Sequence, residues 1–561
     1  MPKKSFDKLM SFLQWLDEKL LLLVSAFLIA FIPLYPKLPL FDAIPGYLVR
    51  VRLEDFFVLA ACLIWLVQFW RKKVTIDRKF AFLIGGYILF GFLSLLSAIF
   101  LIKTVPLETV HVMKSALHLF RYIEYFSLFF IVFSAVKTKK DVKILLAAFL
   151  ATLLAVSVYG YGQKNFYWPV YSTMNREFSK GLRLYLTEHA RVQSTFGGHY
   201  DAAAYLVILL PVVYALMSKA TSRKLRFCLF LTYLAGLWLL VLTASRTSFV
   251  AFVVAVGIIL LFLASLEKSW LKRFLNLFSN GVKFLVVILV MMLFFGDDMY
   301  ERLMQVVDSY PKLHDAYHDA NYRRIKAISW VLEKTGIKEP EKPENSISLD
   351  EMIALENKVL VNSDTRPTTD KPSDVYVDVP DIVEVASKSA DGSDIIAKVE
   401  RDRTWSINAL KYGLSMGIRL DTLWPNAING FLKNPILGSG YGTLNKEGAY
   451  HFLEADSTDN NFLRTLGETG LAGVITFYGV ILLAIKKAIK ATRSSEMSVK
   501  LLAIGFITAS IGLLINAIYI DVFAASKVAF TYWAITGLTI AFFDLEMKEK
   551  IDQPKTKKKT K

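Results

Sequence analysis

Apolar residues run along this chain in long blocks separated by short charged clusters. The blocks cover 20–36, 54–70, 80–102, 116–136, 143–161, 199–217, 225–244, 247–266, 281–296, 463–485, 499–520 and 524–544. A helix needs roughly 20 apolar residues to cross the hydrocarbon core of a bilayer. The pattern therefore predicts an all-α polytopic membrane protein with twelve spanning helices. Around the first block, Pro33, Pro36 and Pro39 stand where a signal peptide would carry a small-residue cleavage site, which predicts a retained helix.

The polar clusters set the orientation. Arg71, Lys72, Lys73, Arg78 and Lys79 follow the second block, and Lys137, Lys139, Lys140 and Lys143 follow the fourth. Lys219, Arg223, Lys224 and Arg226 follow the sixth, Lys268, Lys272 and Arg273 the eighth, and Lys486, Lys487, Lys490 and Arg493 the tenth. Basic residues collect in cytoplasmic loops, so both termini are predicted to be cytoplasmic. The organisation expected is spans one to five within 1–161, an outer loop at 162–198 and spans six to nine within 199–296. A large outer domain at 297–462, spans ten to twelve within 463–545 and a basic tail at 546–561 complete it. Within the outer domain, 338–400 holds Pro340, Pro343, Pro367, Pro372 and Pro380 among many acidic residues. It reads as a hydrophilic insertion, and the alternation at Val375, Val377 and Val379 suggests a short strand.

Composition agrees with the pattern. Of 561 residues, 54% are hydrophobic and 20% charged, with 41 Phe, 25 Tyr and 10 Trp and a mean hydropathy of +0.42. That is too little polar surface for a water-soluble particle. The net charge of +17 would suggest nucleic acid in a soluble protein. Here the loop clusters account for most of it, and no nucleic-acid partner is expected. Cys62 and Cys228 sit in separate apolar runs, so no metal cluster or redox pair is expected.

A few charges do not fit a topological role. Ionisable groups at membrane depth are costly and are functional candidates by default. Arg121 and Glu124 lie three apart on one helical face and read as an internal ion pair. Arg246, in Thr243-Ala244-Ser245-Arg246-Thr247-Ser248, falls at the outer junction of spans seven and eight. An arginine fork there suits a phosphate. Arg419 opens a segment that continues through Trp424 into an amphipathic helix over 424–432, stopped by Pro435. Gly438, Gly440 and Gly442 follow and would permit close approach of backbone to a ligand. Asp459 and Asn460 crown the tenth span, with Asp459 a possible N-cap. Arg464 and Glu468, four apart, could pair within that helix. His199 and Asp201 lie at the outer end of the sixth span, as substrate contacts or polar caps.

Four blocks together resemble the O-antigen ligase and O-antigen polymerase superfamily. They are Arg191 to Tyr205, Ser245-Arg246-Thr247, Arg419 to Gly442, and Asp459-Asn460 through Glu468 to Gly470. The resemblance covers roughly 190–480; the first five spans match in topology only. It implies a C-type glycosyltransferase fold that needs no metal or other cofactor. It also implies an undecaprenyl-diphosphate-linked glycan donor, a glycan or lipid acceptor, and a lipid bilayer as the medium. The family arginines that bind the donor diphosphate map to Arg246 and Arg419, and the catalytic position to Asp459. Ligases of this family carry His where this chain has Asp459, which tilts the expectation toward a polymerase or a ligase with another acceptor. Arg191, His199, Asp201, Asn460, Gly438, Gly440 and Glu468 are the accompanying candidates for substrate contact. Twelve spans with both ends inside is also a transporter layout, but the two halves of the chain do not match and the unusual charges lie at one boundary, away from the midplane.

Overall fold

The computed structural model describes residues 3–42, 50–174, 178–187, 190–300, 382–388, 394–400, 414–444 and 457–552, together with positions 323, 326 and 334. Among the described residues, nine long helices form the first part: α1 (Lys3–Leu34), α2 (Leu53–Trp70), α3 (Arg78–Leu96), α4 (Thr109–Ala135), α5 (Lys139–Phe166), α6 (His199–Ser218), α7 (Arg223–Leu242), α8 (Arg246–Ser265) and α9 (Trp270–Phe295). A π-helical turn, Ser97–Leu101, extends α3. Then come α10 (Trp424–Lys433), α11 (Asn461–Ala491), α12 (Met497–Asn516) and α13 (Ser526–Asp552).

Polar residues at the block edges start several of these helices. Asp77 accepts the backbone N–H of Lys79 at 2.9 Å ahead of α3. Thr138 and Asp141 form a reciprocal capping box at α5, and Asn460 Oδ1 accepts Leu463 N at 3.0 Å ahead of α11. Among the described residues, eleven helices are long and apolar enough to cross a membrane, so the chain is an all-α, multi-pass membrane protein. The predicted first span is not among the eleven; it forms the C-terminal part of the longer α1.

The helices differ in what surrounds them. In α13 89% of the spanning window is buried inside the protein, in α6 78% and in α12 72%; in α9 the figure is 11%. Helices α6, α12 and α13 are therefore the centre, and α9 is a peripheral helix with most of its surface left for lipid. Helix α12 packs on α6 and α8, α13 on α4, and α11 on α3. An aromatic cluster fills the join of α4, α11 and α13: Phe126 stands 4.5 Å from Trp533, and Phe477 stands 5.1 Å from Tyr87.

Several parts of the expected outer domain are described, among them 457–462 ahead of α11. Residues 414–444 are folded onto the helices. The strands Ile382–Lys388 and Asp394–Glu400 pair antiparallel, with Ile382 opposite Glu400. The insertion thus holds a β-hairpin, a little beyond the predicted strand at Val375, Val377 and Val379, which lies outside the described residues.

Candidate functional site

Helix α11 breaks at Gly470, where φ is 62° and ψ −164°. This backbone region is essentially reserved for glycine. The break exposes helical N–H groups, and the segment after α10 uses them. Leu471 N donates to Pro435 O at 2.9 Å and Ala472 N to Ile436 O at 3.1 Å. The chain then runs back along α11: Ser439 N donates to Gly467 O at 2.8 Å, and Gly440 N to Glu468 O at 3.0 Å. The Glu468 carboxylate accepts Gly442 N at 3.2 Å. A Cβ on Gly438, whose φ is +70°, would sit 2.5 Å from the backbone of Glu468. Gly438 and Gly440 make a close approach to α11 and its neighbours. Glu468 also lies 3.4 Å from Arg464, the pairing expected from their spacing.

This docking carries the Arg419 segment to the end of the bundle where α11 begins. Arg419 lies in a π-helical turn, Arg419–Leu423, and is mostly buried. Its Nη2 is 3.0 Å from Asp459 Oδ2 and donates to Tyr519 O at 3.3 Å. Asp459 holds the left-handed backbone region with φ 48°, which aspartate tolerates better than most residues. Its side chain is 38% exposed and its Oδ1 accepts Ser457 Oγ at 2.7 Å. The N-cap of α11 is Asn460, one residue beyond the position anticipated.

Arg246 occupies the first turn of α8 and is exposed. It lies within electrostatic range of Arg419, Arg191 and Tyr200. Its helix is tied to α12 through Ser248, which donates to Asn516 Oδ1 at 3.1 Å and is 2.8 Å from the Ser245 hydroxyl. Arg191 Nη1 contacts His199 Nε2 and donates to the Tyr200 hydroxyl at 3.2 Å. Arg191, His199, Arg246, Arg419, Asp459 and Asn460 are thus gathered at one end of the bundle.

Asp201 belongs to a neighbouring group. It lies within electrostatic range of Lys37, Lys527 and Arg52. Lys527 Nζ donates to Tyr35 O at 2.6 Å, Thr195 O at 2.7 Å and Pro33 O at 3.0 Å. Lys37 Nζ donates to Ser526 Oγ at 2.6 Å, and burial, reinforced by the Arg52 charge, pushes its ammonium down to about 8. Arg121 pairs with Glu124 at 3.0 Å as expected and also with Asp55 of α2, so this pair joins helices.

One residue of the site went unrecognised in the sequence. Asp521, in the turn between α12 and α13, accepts Thr458 N at 2.9 Å and Asn460 N at 3.1 Å, and pairs with Arg464 Nη1 at 3.0 Å. It holds the loop that presents Asp459. The signal was a lone carboxylate in an otherwise apolar turn, Ile518-Tyr519-Ile520-Asp521-Val522-Phe523. Among the described residues no group of three or more His, Cys, Asp or Glu side chains is arranged to hold a metal ion. No protein-family model matches the chain, and no curated protein sequence matches it.

Proposed function

We propose that the protein is an integral membrane glycosyltransferase of the O-antigen ligase and polymerase type. It transfers or polymerises a glycan carried on undecaprenyl diphosphate at the outer face of a bacterial cytoplasmic membrane. The observation that carries the reading is the gathering of Arg191, Arg246 and Arg419, from three separate elements, with Arg419 paired to Asp459. Like charges held together repel, and a diphosphate relieves that repulsion through charge-assisted hydrogen bonds to the guanidinium forks. The resemblance of the four sequence blocks supports the same donor. The apolar part of α1 serves as the twelfth crossing, and the basic clusters put both termini in the cytoplasm.

In the reaction, an acceptor hydroxyl of a glycan or lipid attacks the anomeric carbon of the donor. The bond from that carbon to the diphosphate oxygen breaks, and the lipid diphosphate leaves with its charge on Arg246 and Arg419. Asp459 takes the hydroxyl proton. The Arg419–Asp459 ion pair is the resting state of the site; a bound diphosphate competes for Arg419 and releases the carboxylate toward the acceptor.

The test is turnover of a lipid-diphosphate glycan by the purified protein in liposomes. Arg246→Ala and Arg419→Ala should each lower it about 100- to 1,000-fold, the usual loss when a group stabilising transition-state charge is removed. Wild-type turnover in both variants overturns the proposal.

A further inference from the structure

A cavity of about 550 Å³ opens at the opposite end of α6–α8 from Arg246. Its walls come from the last turn of α6, the first turns of α7, Leu263 of α8 and the middle of α9. The volume is that of an ordinary small-ligand site. Four cations line it: Lys219, Arg223, Arg226 and Lys283. The carboxylate that approaches them is Glu267, 3.9 Å from Lys219, and it also accepts Asn276 Nδ2 at 3.3 Å. Arg226 Nη2 donates to Ala220 O at 2.6 Å. Arg223 and Lys283 are both exposed.

The remaining lining is mostly apolar or aromatic, with Ser218, Asn276 and Asn280 among it, and follows helical spacing. Arg223, Arg226, Phe227 and Phe230 fall on one face of α7. Asn276, Asn280, Lys283, Phe284 and Val287 fall on one face of α9. That α9 face is a polar stripe on a helix otherwise left to lipid. Its other side carries Trp270, Phe274 and Phe278, stacked in succession and all more than half exposed. An aromatic ladder of this kind is the signature of a membrane–water interface. Cations at the mouth and aromatic walls below it match a molecule with an anionic head and an apolar tail.

We propose that this cavity binds an anionic glycerophospholipid of the adjacent leaflet. Its phosphate sits between Arg223, Arg226 and Lys283, and an acyl chain lies against Phe227, Phe230 and Phe284. Lys283 reaches the headgroup level by extending its stem along the apolar wall. Free phosphate would engage the cations alone and leave the aromatic wall without a role. The inference stands independently of the transferase reading, because the cavity and the arginine cluster are at opposite ends of the bundle.

The experiment uses the full chain in detergent, titrated with dioleoylphosphatidylglycerol, dioleoylphosphatidylcholine or inorganic phosphate, and reads the melting temperature. Phosphatidylglycerol should raise it, and the other two should not. The double variant Arg223→Gln/Lys283→Gln should weaken the phosphatidylglycerol effect roughly 30-fold in apparent affinity. The control Lys486→Gln/Lys490→Gln removes the same charge from exposed positions on α11 and should leave the effect intact. The proposal is overturned if phosphatidylcholine binds equally, if phosphate alone reproduces the shift, or if the control pair weakens binding as much as the cavity pair.

Discussion

At the end of the bundle that carries Lys19, Lys139 and Lys487, ion pairs join one helix to another near solvent. Lys139 meets Glu496 at 2.7 Å and Glu549 at 2.9 Å, with all three side chains more than a quarter exposed. Lys487 meets Asp544 at 3.1 Å, with the side chains 19% and 30% exposed. Lys19 meets Asp141 at 2.8 Å, where the lysine is solvated and the carboxylate is buried and also caps α5. At the other end, Asp521, Arg464 and Glu468 are at most one-tenth exposed, and they join loops to helices. The first arrangement fastens a bundle whose packing already exists. The second fixes the backbone on which Asp459 is presented. Exposed pairs contribute little, whereas breaking a buried pair leaves a stranded charge. The two ends should therefore respond very differently to mutation.

The largest effect is expected at Asp521. Asp521→Ala removes one of the two carboxylates paired with buried Arg464, which keeps Glu468, and takes the acceptor from two backbone N–H groups. A loss of about 3–5 kcal/mol in stability should follow, read as a lower melting temperature. Glycosyl transfer should fall with it if Asp459 is the base, since its loop is no longer held. A melting temperature within error of wild type would mean that the buried network is not what holds this end. Gly438→Ala comes next. It forces a side chain into left-handed backbone and against the Glu468 main chain, which cannot retreat. The expected cost is about 3 kcal/mol, combining conformational strain with overpacking. Gly257→Ala in α8, where an added Cβ meets nothing within 4 Å, should be neutral or stabilise by up to about 1 kcal/mol. Equal effects of the two would erase the distinction between the docked glycine loop and an ordinary helical glycine.

A third test is pH. Lys37 holds a proton less firmly in the folded protein, at about 8 against 10.5 for the ordinary side chain. Arg52, Glu54, Asp201 and Arg121 surround it. Between those values the unfolded chain binds more protons, so stability rises with pH. From pH 8 upward, the wild type should gain on a Lys37→Met variant by at most about 3 kcal/mol. A flat difference in melting temperature across that window would mean that Lys37 is solvated.

Helices were legible in the sequence wherever length and apolarity coincided, and they blurred where the two separated. Helix α9 starts at Trp270, ahead of the apolar block at 281, because Lys272, Arg273, Asn276 and Asn280 interrupt hydropathy without interrupting helical periodicity. Helix α12 stops at Asn516, short of 520, because Ile518, Tyr519 and Ile520 are apolar yet belong to a turn. Single candidate residues were visible as charges out of place: Arg246, Arg419 and Asp459. Their partners were not. The Arg419–Asp459 contact spans forty positions and depends on the 435–442 segment docking at the Gly470 break, which no local pattern encodes. The same glycines that looked suited to a ligand serve that docking.

The smallest effect belongs to the solvent-facing end. Asp17 receives Arg71 Nη2 at 2.9 Å, Gln68 Nε2 at 2.9 Å and the Lys73 ammonium, and hydrogen bonds from Arg71 and then Lys73 hold its carboxyl far below the ordinary value of 3.8. A carboxyl depressed by folding stabilises above its unfolded value and loses that contribution as pH falls through its folded one. Asp17 and both cations are substantially solvated, so screening shrinks the contribution. Asp17→Asn should cost under about 1 kcal/mol at neutral pH. The gap in melting temperature from wild type should narrow in molar salt and close only in strong acid. A cost as large as that of Asp521→Ala would show that ion pairs at this end also fix backbone, and the contrast between the two ends would fail.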